Sequence, residues 1–359
     1  MNLTLHLTAD CNLRCRYCYE THCREHMTWD TARQAVDLVF SYGHATNGLS
    51  LFGGEPLLER TLAEDICRYA KAEAQRRGVG VRFKMTTNGT LLDEAFLKFA
   101  NAHDLEIALS HDGLLQDEQR LTRDGRPTRA KLEPAVDLLL KYQPNAAALM
   151  TVTPETVGGM ARSVQWLYER GFSRINAAMD YRPNAGWDDG SLAVLKEQYE
   201  AVAELMEQRF DARRPLLFLP FLVKIAAYIQ DRPCLECKLG MRQPSVAEDG
   251  SVYPCNQFLH LPDYCMGHVS TGIDKEKQQA IYAASLPPEP NCAGCAILDR
   301  CRHHCACLNF SLTGDMHKVA PVQCEHERIL IPVADALAAR LYEKRSVRFL
   351  LNYREDTLE

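Results

Sequence analysis

The chain has 359 residues, 46% hydrophobic and 25% charged, the balance of a globular protein of about two domains. That excludes disorder and fibre, and no apolar run approaches the ~20 residues of a membrane span. A net charge of −6 offers no basic face for following phosphates, so nucleic acid is not an expected partner. The opening MNLTLHLTADC lacks the basic lead and apolar core of a signal peptide, so a cytoplasmic location is expected.

The first half alternates two periodicities. Residues 3–8 alternate apolar and polar and read as a strand. After a cysteine loop, Thr28 is placed to cap a helix with Ala35, Val36, Val39 and Phe40 on one face. Strands follow at 48–52, 81–87, 105–110, 146–152 and 173–179. Helices fall between them at 61–77, 93–102, 132–142 and 160–170. Six such units in a row predict an α/β fold with a parallel sheet, curled into a partial (β/α)6 barrel. In such sheets the chemistry sits in loops at the C-terminal strand ends. Those loops hold the cysteines, Gly-Gly-Glu-Pro, Thr-Asn-Gly and Ser-His-Asp-Gly. Longer helices are expected at 191–209 and 216–231. The texture changes near 232 to a Cys-, Pro- and Gly-rich stretch, and a helix at about 326–345 closes the chain. The domains expected are 1–180, a helical bridge at 181–233, a Cys-rich domain at 234–325, and a helix and tail at 326–359.

Fifteen cysteines are too many for core packing alone. A disulfide scaffold needs an oxidising compartment, whereas clustered thiols in a reducing one more often hold metal or iron–sulfur clusters. Three lie at Cys11, Cys15 and Cys18, and ten between Cys234 and Cys324. Three thiolates in eight residues can take three corners of a cubane cluster and leave one iron open to a substrate. A zinc loop that borrows a distant fourth ligand has the same spacing.

Cys11-x3-Cys15-x2-Cys18, with Tyr17 before the last cysteine, resembles the signature of the radical SAM superfamily. Gly53-Gly54-Glu55-Pro56 resembles its GGE motif, whose glycines let the backbone approach the methionyl amine of S-adenosylmethionine (SAM). The resemblance also places Asn88, Ser110 and Asp112 at the SAM pocket, and Arg120 or Arg129 against its carboxylate. Each of these residues also reads as an ordinary turn or cap.

Further on, Cys237-x12-Gly250-x4-Cys255, then Cys292-x2-Cys295-x5-Cys301-x3-Cys305, then Cys324, is similar to the seven-cysteine SPASM pattern. A zinc ribbon would leave several of these cysteines unexplained. The resemblance implies two auxiliary 4Fe–4S clusters besides the SAM-binding one. The inner would take Cys234, Cys237, Cys255 and Cys305, and the outer Cys292, Cys295, Cys301 and Cys324. Cys23, Cys67, Cys265 and Cys307 are left as packing thiols.

Such enzymes cleave SAM reductively to a 5′-deoxyadenosyl radical that takes hydrogen from a substrate. The resemblance implies a peptide or protein substrate and a reductant such as flavodoxin or ferredoxin. With two residues ahead of the first strand, a separate leader-binding protein is also a candidate partner. Maturation of a ribosomal peptide, with a thioether or C–C cross-link, is the leading expectation. Anaerobic sulfatase maturation is the alternative, but there an Asp, proposed as general base, follows the second motif cysteine, and here it is Asn256. A non-enzymatic electron carrier would need no SAM pocket. Asp180, at the end of the sixth strand, is as readily a loop cap as a base, and no catalytic residue is assigned.

Overall fold

The computed structural model describes residues 1–230, 237–286, 292–301 and 305–353. They form an α/β fold on parallel strands. Its packing separates two compact units that interleave along the chain: Met1–Ser110, Arg120–Ala146 and Cys237–Pro287 in one, His111–Gln119, Ala147–Glu236 and Pro288–Glu359 in the other.

In the first unit, β1 (Asn2–His6), β2 (Thr46–Phe52), β3 (Gly80–Thr87) and β4 (Leu105–Ser110) lie parallel and in order. Between them run α1 (Trp29–Ser41), α2 (Arg60–Arg77) and α3 (Glu94–Ala102), with α4 (Arg129–Tyr142) after β4. Thr28 caps α1 by accepting the Thr31 N–H, as the sequence predicts, a contact worth about 1 kcal/mol. The two-residue period of a strand puts Leu5, Leu51, Met85 and Ile107 on one buried rung. Each such side chain contributes roughly 1.5–3 kcal/mol by leaving water. One residue earlier on each strand, the opposite face carries Thr4, Ser50, Lys84 and Glu106. A sheet with one apolar and one polar face buries the first and can build a site on the second.

The chain rejoins this sheet after residue 237. Ser245–Val246 pairs parallel with the other side of β1, and Ser251–Tyr253, Gly267–His268 and Gly272–Ile273 continue antiparallel. These strands are two or three residues long, too short for a periodic signal, and the sequence reading has no strand there. It also lacks the ladder between Leu13–Cys15 and Arg120–Thr122, which straps the cysteine loop from outside.

In the second unit, β5 (Ala147–Val152), β6 (Arg174–Met179) and β7 (Leu217–Phe218) are parallel. Around them are α5 (Met160–Arg170), α6 (Asp189–Arg209), α7 (Leu219–Ile229) and α8 (Pro321–Glu343). α8 starts five residues before the expected 326. Pro321 supplies the fixed φ of a first helical position, and Cys324 therefore stands in the first turn. Among the described residues no helix is long and apolar enough to cross a membrane.

α7 is apolar except for Lys224, which is 1% exposed and meets Glu327 of α8 at 2.5 Å. Its ammonium also donates to the Arg300 carbonyl at 2.7 Å, and Arg300 forks onto Asp335. Desolvating two charges is costly, so the pair holds only while both partners are present. Glu327→Ala strands a buried ammonium and should cost about 3–5 kcal/mol, read as a lower midpoint in chemical denaturation. A variant as stable as the parent would show that Lys224 finds water.

Candidate active site

Backbone and side chains both hold the cysteine loop: the Leu13 N–H donates to the Cys11 sulfur at 3.4 Å, and the Cys18 sulfur lies 3.3 Å from His22 Nε2. The Cys11 N–H donates to the Asp10 carboxylate at 2.9 Å, and Asp10 is paired with Arg123. The Cys18 N–H donates to the Cys15 carbonyl at 3.1 Å. Cys11 is buried, and Cys15 and Cys18 border a cavity of about 570 Å3 with Asp10, Arg14, Glu20, His22 and Arg123. Burial pushes the Cys11 thiol up to about 12. Such a thiol stays protonated in neutral water, and a coordinated metal deprotonates it outright. Buried and half-buried thiols on one short loop at the edge of a cavity suit a cluster with an open face.

Gly53 and Gly54 press against this loop. A Cβ on Gly53 would lie 2.3 Å from the Thr8 carbonyl oxygen, and one on Gly54 2.2 Å from that of Asp10. The Gly54 and Glu55 N–H groups donate to the same two carbonyls at 2.8 and 2.9 Å. The glycines thus let the turn after β2 lie flat on the cysteine loop. Glu55 is fully buried and accepts from the Thr87 hydroxyl at 2.7 Å and from the Asn88 and Leu57 N–H groups at 2.8 and 3.0 Å. Burial raises its proton affinity, and the three donors oppose that. Asn88 in turn donates to Asn12 at 2.8 Å and approaches the Cys11 sulfur at 3.8 Å. Cys11, Gly53, Gly54, Glu55 and Asn88 are therefore brought into one network.

Ser110 ends β4 half-buried. In the second unit Asp112 is fully buried and accepts the Thr151 N–H at 2.9 Å, fixing the start of its segment to β5. Arg120 stacks its guanidinium over Tyr17 at 5.1 Å, and Arg129 opens α4. Asp180 is paired with Arg182 at 2.8 Å and its carbonyl accepts from Trp187.

Of the C-terminal cysteines, Cys292, Cys295, Cys301 and Cys324 line one cavity of about 310 Å3. Among the described residues no three Cys, His or acidic side chains converge as a single ion requires; these thiols stand around a space instead. Cys324 sits in the first turn of α8. Cys237 and Cys255 belong to the first unit and Cys305 to the second, where its sulfur lies 3.5 Å from that of Cys307. Cys234 lies outside the described residues. Of the four expected packing thiols, Cys67 and Cys307 are buried and Cys265 is half-buried, whereas Cys23 is exposed and packs in no core.

Asn256 donates to the Tyr19 hydroxyl at 3.4 Å, beside the cysteine loop. Nearby is a group the sequence reading missed. Glu20 faces Glu248, and burial together with that neighbour raises Glu20 to about 7. Glu248 is raised too and lies 3.6 Å from His260. Ala-Glu-Asp-Gly reads as a solvent turn, so nothing in the sequence marks Glu248 as buried.

Comparison with known proteins identifies the architecture. Residues 5–167 match the family model described as Radical SAM superfamily. The chain carries a radical SAM domain. Over 322 residues it is 22% identical to the cysteine-type anaerobic sulfatase-maturating enzyme of Clostridium perfringens, covering 83% of this chain and 86% of that one. It is 27% identical over 177 residues to an uncharacterized protein of Methanocaldococcus jannaschii, covering 49% of this chain and 61% of that protein. Native anSMEcpe with bound AdoMet and Kp18Cys peptide has the same fold, with a TM-score of 0.80 at 20% identity over 93% of this chain and 99% of that one. Streptococcus suis SuiB bound to precursor peptide SuiA gives 0.64 at 15% identity over 90% and 75%. This chain is thus an enzyme with a radical SAM domain over residues 5–167, similar to sulfatase-maturating enzymes, and that domain implies one 4Fe–4S cluster and SAM.

The glycine contact makes a sharp test in this radical SAM domain. Gly54→Ala must push the Asp10 carbonyl away and tilt the cysteine loop. The variant should keep its far-ultraviolet circular dichroism yet lose most iron at the Cys11–Cys18 site. The reading is best made where Cys292, Cys295, Cys301 and Cys324 are all Ala. Parent-like iron there would mean the loop absorbs the methyl group.

Proposed function

We propose that the chain is an oxidative peptide maturase. The observation that carries this is the loop of Cys11, Cys15 and Cys18 at a cavity edge, locked to the Gly53–Glu55 turn, in a fold shared with two enzymes whose structures hold peptides. In this reading the three thiolates hold a 4Fe–4S cluster. SAM bound there supplies a hydrogen-abstracting 5′-deoxyadenosyl radical. Gly53 and Gly54 keep the loop in place, while Glu55 and Asn88 fix the ends of β2 and β3 that border the SAM pocket. The family resemblance also assigns Ser110 and Asp112 to SAM binding. Cys292, Cys295, Cys301 and Cys324 hold an outer auxiliary cluster. Cys237, Cys255 and Cys305, with Cys234, hold an inner one. These accept the electron that an oxidised substrate gives up, and a flavodoxin or ferredoxin supplies the reducing electron.

The substrate is a small peptide, with a cross-link as product. A sulfatase-type reaction is the second reading, favoured by the 83% and 86% coverage shared with the Clostridium perfringens enzyme. Asn256 weighs against it, since a carboxamide cannot take a proton as a carboxylate can.

Intact mass separates the two. Anaerobic co-expression with a Cys-containing peptide encoded beside the gene should yield a peptide lighter by two hydrogens. That change should vanish when Cys11, Cys15 and Cys18 are Ala. Loss of sulfur with gain of oxygen would instead establish formylglycine, and an unchanged peptide would sink the maturase reading. Separately, changing Cys292, Cys295, Cys301 and Cys324 together to Ala should remove about four irons per chain, one cluster's worth. Unchanged iron would remove the outer cluster from the account.

A further inference from the structure

Cys305 and Cys307 bring their sulfurs within 3.5 Å of each other. Both belong to the second unit, where Cys305 caps the short helix Ala306–Thr313 and Cys307 lies in its first turn. Cys305 is half-buried and Cys307 is 7% exposed. Core packing accounts for the burial of Cys307 but not for its sulfur meeting a second one. Among the described residues no group of three Cys, His or acidic side chains converges on an ion, so the pair is not part of a single-metal site there.

The spacing permits a covalent bond. A disulfide joins Cα atoms about 4.4–6.8 Å apart. Two residues span at most about 7 Å when fully extended, and the start of a helix is shorter. The backbone beneath the pair is pinned. The Asn309 N–H donates to the Cys305 carbonyl at 3.0 Å. The Asn309 side chain donates to the Met316 carbonyl at 3.0 Å and accepts from Gln323 at 3.2 Å. Gln323 in turn accepts the Ala320 N–H at the start of α8. The helix that carries both thiols is thus fastened to the turn that carries Cys324, and the two sulfurs are held as neighbours.

We propose that Cys305 and Cys307 are a dithiol–disulfide couple, oxidised by exchange with a low-molecular-weight disulfide, which withholds Cys305 from iron while it is oxidised. The last clause rests on the assignment of Cys305 to the inner cluster above. Access orders the exchange. The half-buried Cys305 attacks the small disulfide, forms a mixed disulfide and expels one thiol. The buried Cys307 then attacks the Cys305 sulfur and expels the second. The pair gives up two electrons and two protons, and the small disulfide leaves as two thiols that carry them. A reduced thiol pool reverses both steps.

The sequence makes the couple easy to read. Trypsin cleaves after Arg302 and Lys318, and the peptide between them holds these two cysteines and no other. The full chain, before iron is loaded, is treated with glutathione disulfide, blocked with N-ethylmaleimide and digested. In the parent that peptide should be two hydrogens lighter and carry no maleimide, and dithiothreitol should restore two reactive thiols. In Cys307→Ser it should carry one glutathione instead, because the resolving thiol is gone. A parent peptide that carries glutathione, takes two maleimides or is joined to another cysteine peptide overturns the couple.

Iron reads the consequence. The oxidised parent should load about four fewer irons per chain than the reduced parent, one cluster's worth. Untreated Cys307→Ser should load as the reduced parent does, and a deficit there would make Cys307 a ligand and overturn the proposal. A disulfide with undiminished loading overturns the withholding. Untreated Cys305→Ser tests the cluster assignment alone: full iron in that variant sinks the inner-cluster reading, while the peptide mass still decides the couple.

Discussion

A carboxylate sealed from water ties the site together. Ionised Glu55 in a dry interior would cost several kcal/mol if it stood alone. It does not, because Thr87, Asn88 and Leu57 all donate to it. Satisfying that one group fixes where β2 ends, where β3 ends and how the turn between β2 and α2 begins. Through Asn88 and Asn12 the same constraint reaches the cysteine loop. The glycines before Glu55 complete the clamp from the other side, where no side chain fits between the turn and the Thr8 and Asp10 carbonyls. The motif is therefore a structural lock first, and any ligand contact is made by a backbone that the lock has already set.

Charge is handled differently in the second unit. Lys224 and Glu327 are buried across two helices and meet each other there, with the Arg300 carbonyl as a further acceptor for the ammonium. Such a pair adds little net stability but penalises every arrangement in which α7 and α8 slip. Arg300, bonded to both Asp335 and the Lys224 carbonyl, carries that register into the turn before Cys301. The thiol cavity is thereby framed by a helix pair that has one permitted alignment.

Much of this was legible in the amino-acid order. The strand at 105–110 has the bounds its alternation predicts, and the other long strands differ by a residue or two. The resemblance to the SPASM pattern groups Cys292, Cys295, Cys301 and Cys324, and these four line one cavity. What escaped detection has physical reasons. Two-residue strands carry no period. The last helix begins at Pro321 rather than the expected 326, so Cys324 lies in its first turn. The sequence shows the Glu55 carboxylate but not the three donors, from distant and near residues, that meet it. Glu248 looked like turn surface because its burial depends on residues 20–25, more than two hundred positions away.

The interleaving of the two units bears on how the chain is made. The side of β1 opposite β2 is paired only by Ser245–Val246, so it stays an open sheet edge until more than two-thirds of the chain has left the ribosome. An unpaired inner edge of Leu-rich backbone is a template for pairing with the wrong strand. Closing it across some 240 residues is a high-contact-order event, expected late and slow. During synthesis the cysteine loop at the end of β1 therefore waits on a nascent strand whose second partner does not yet exist. That leaves an interval in which its three thiols are exposed to oxidants or stray metals before the fold encloses them.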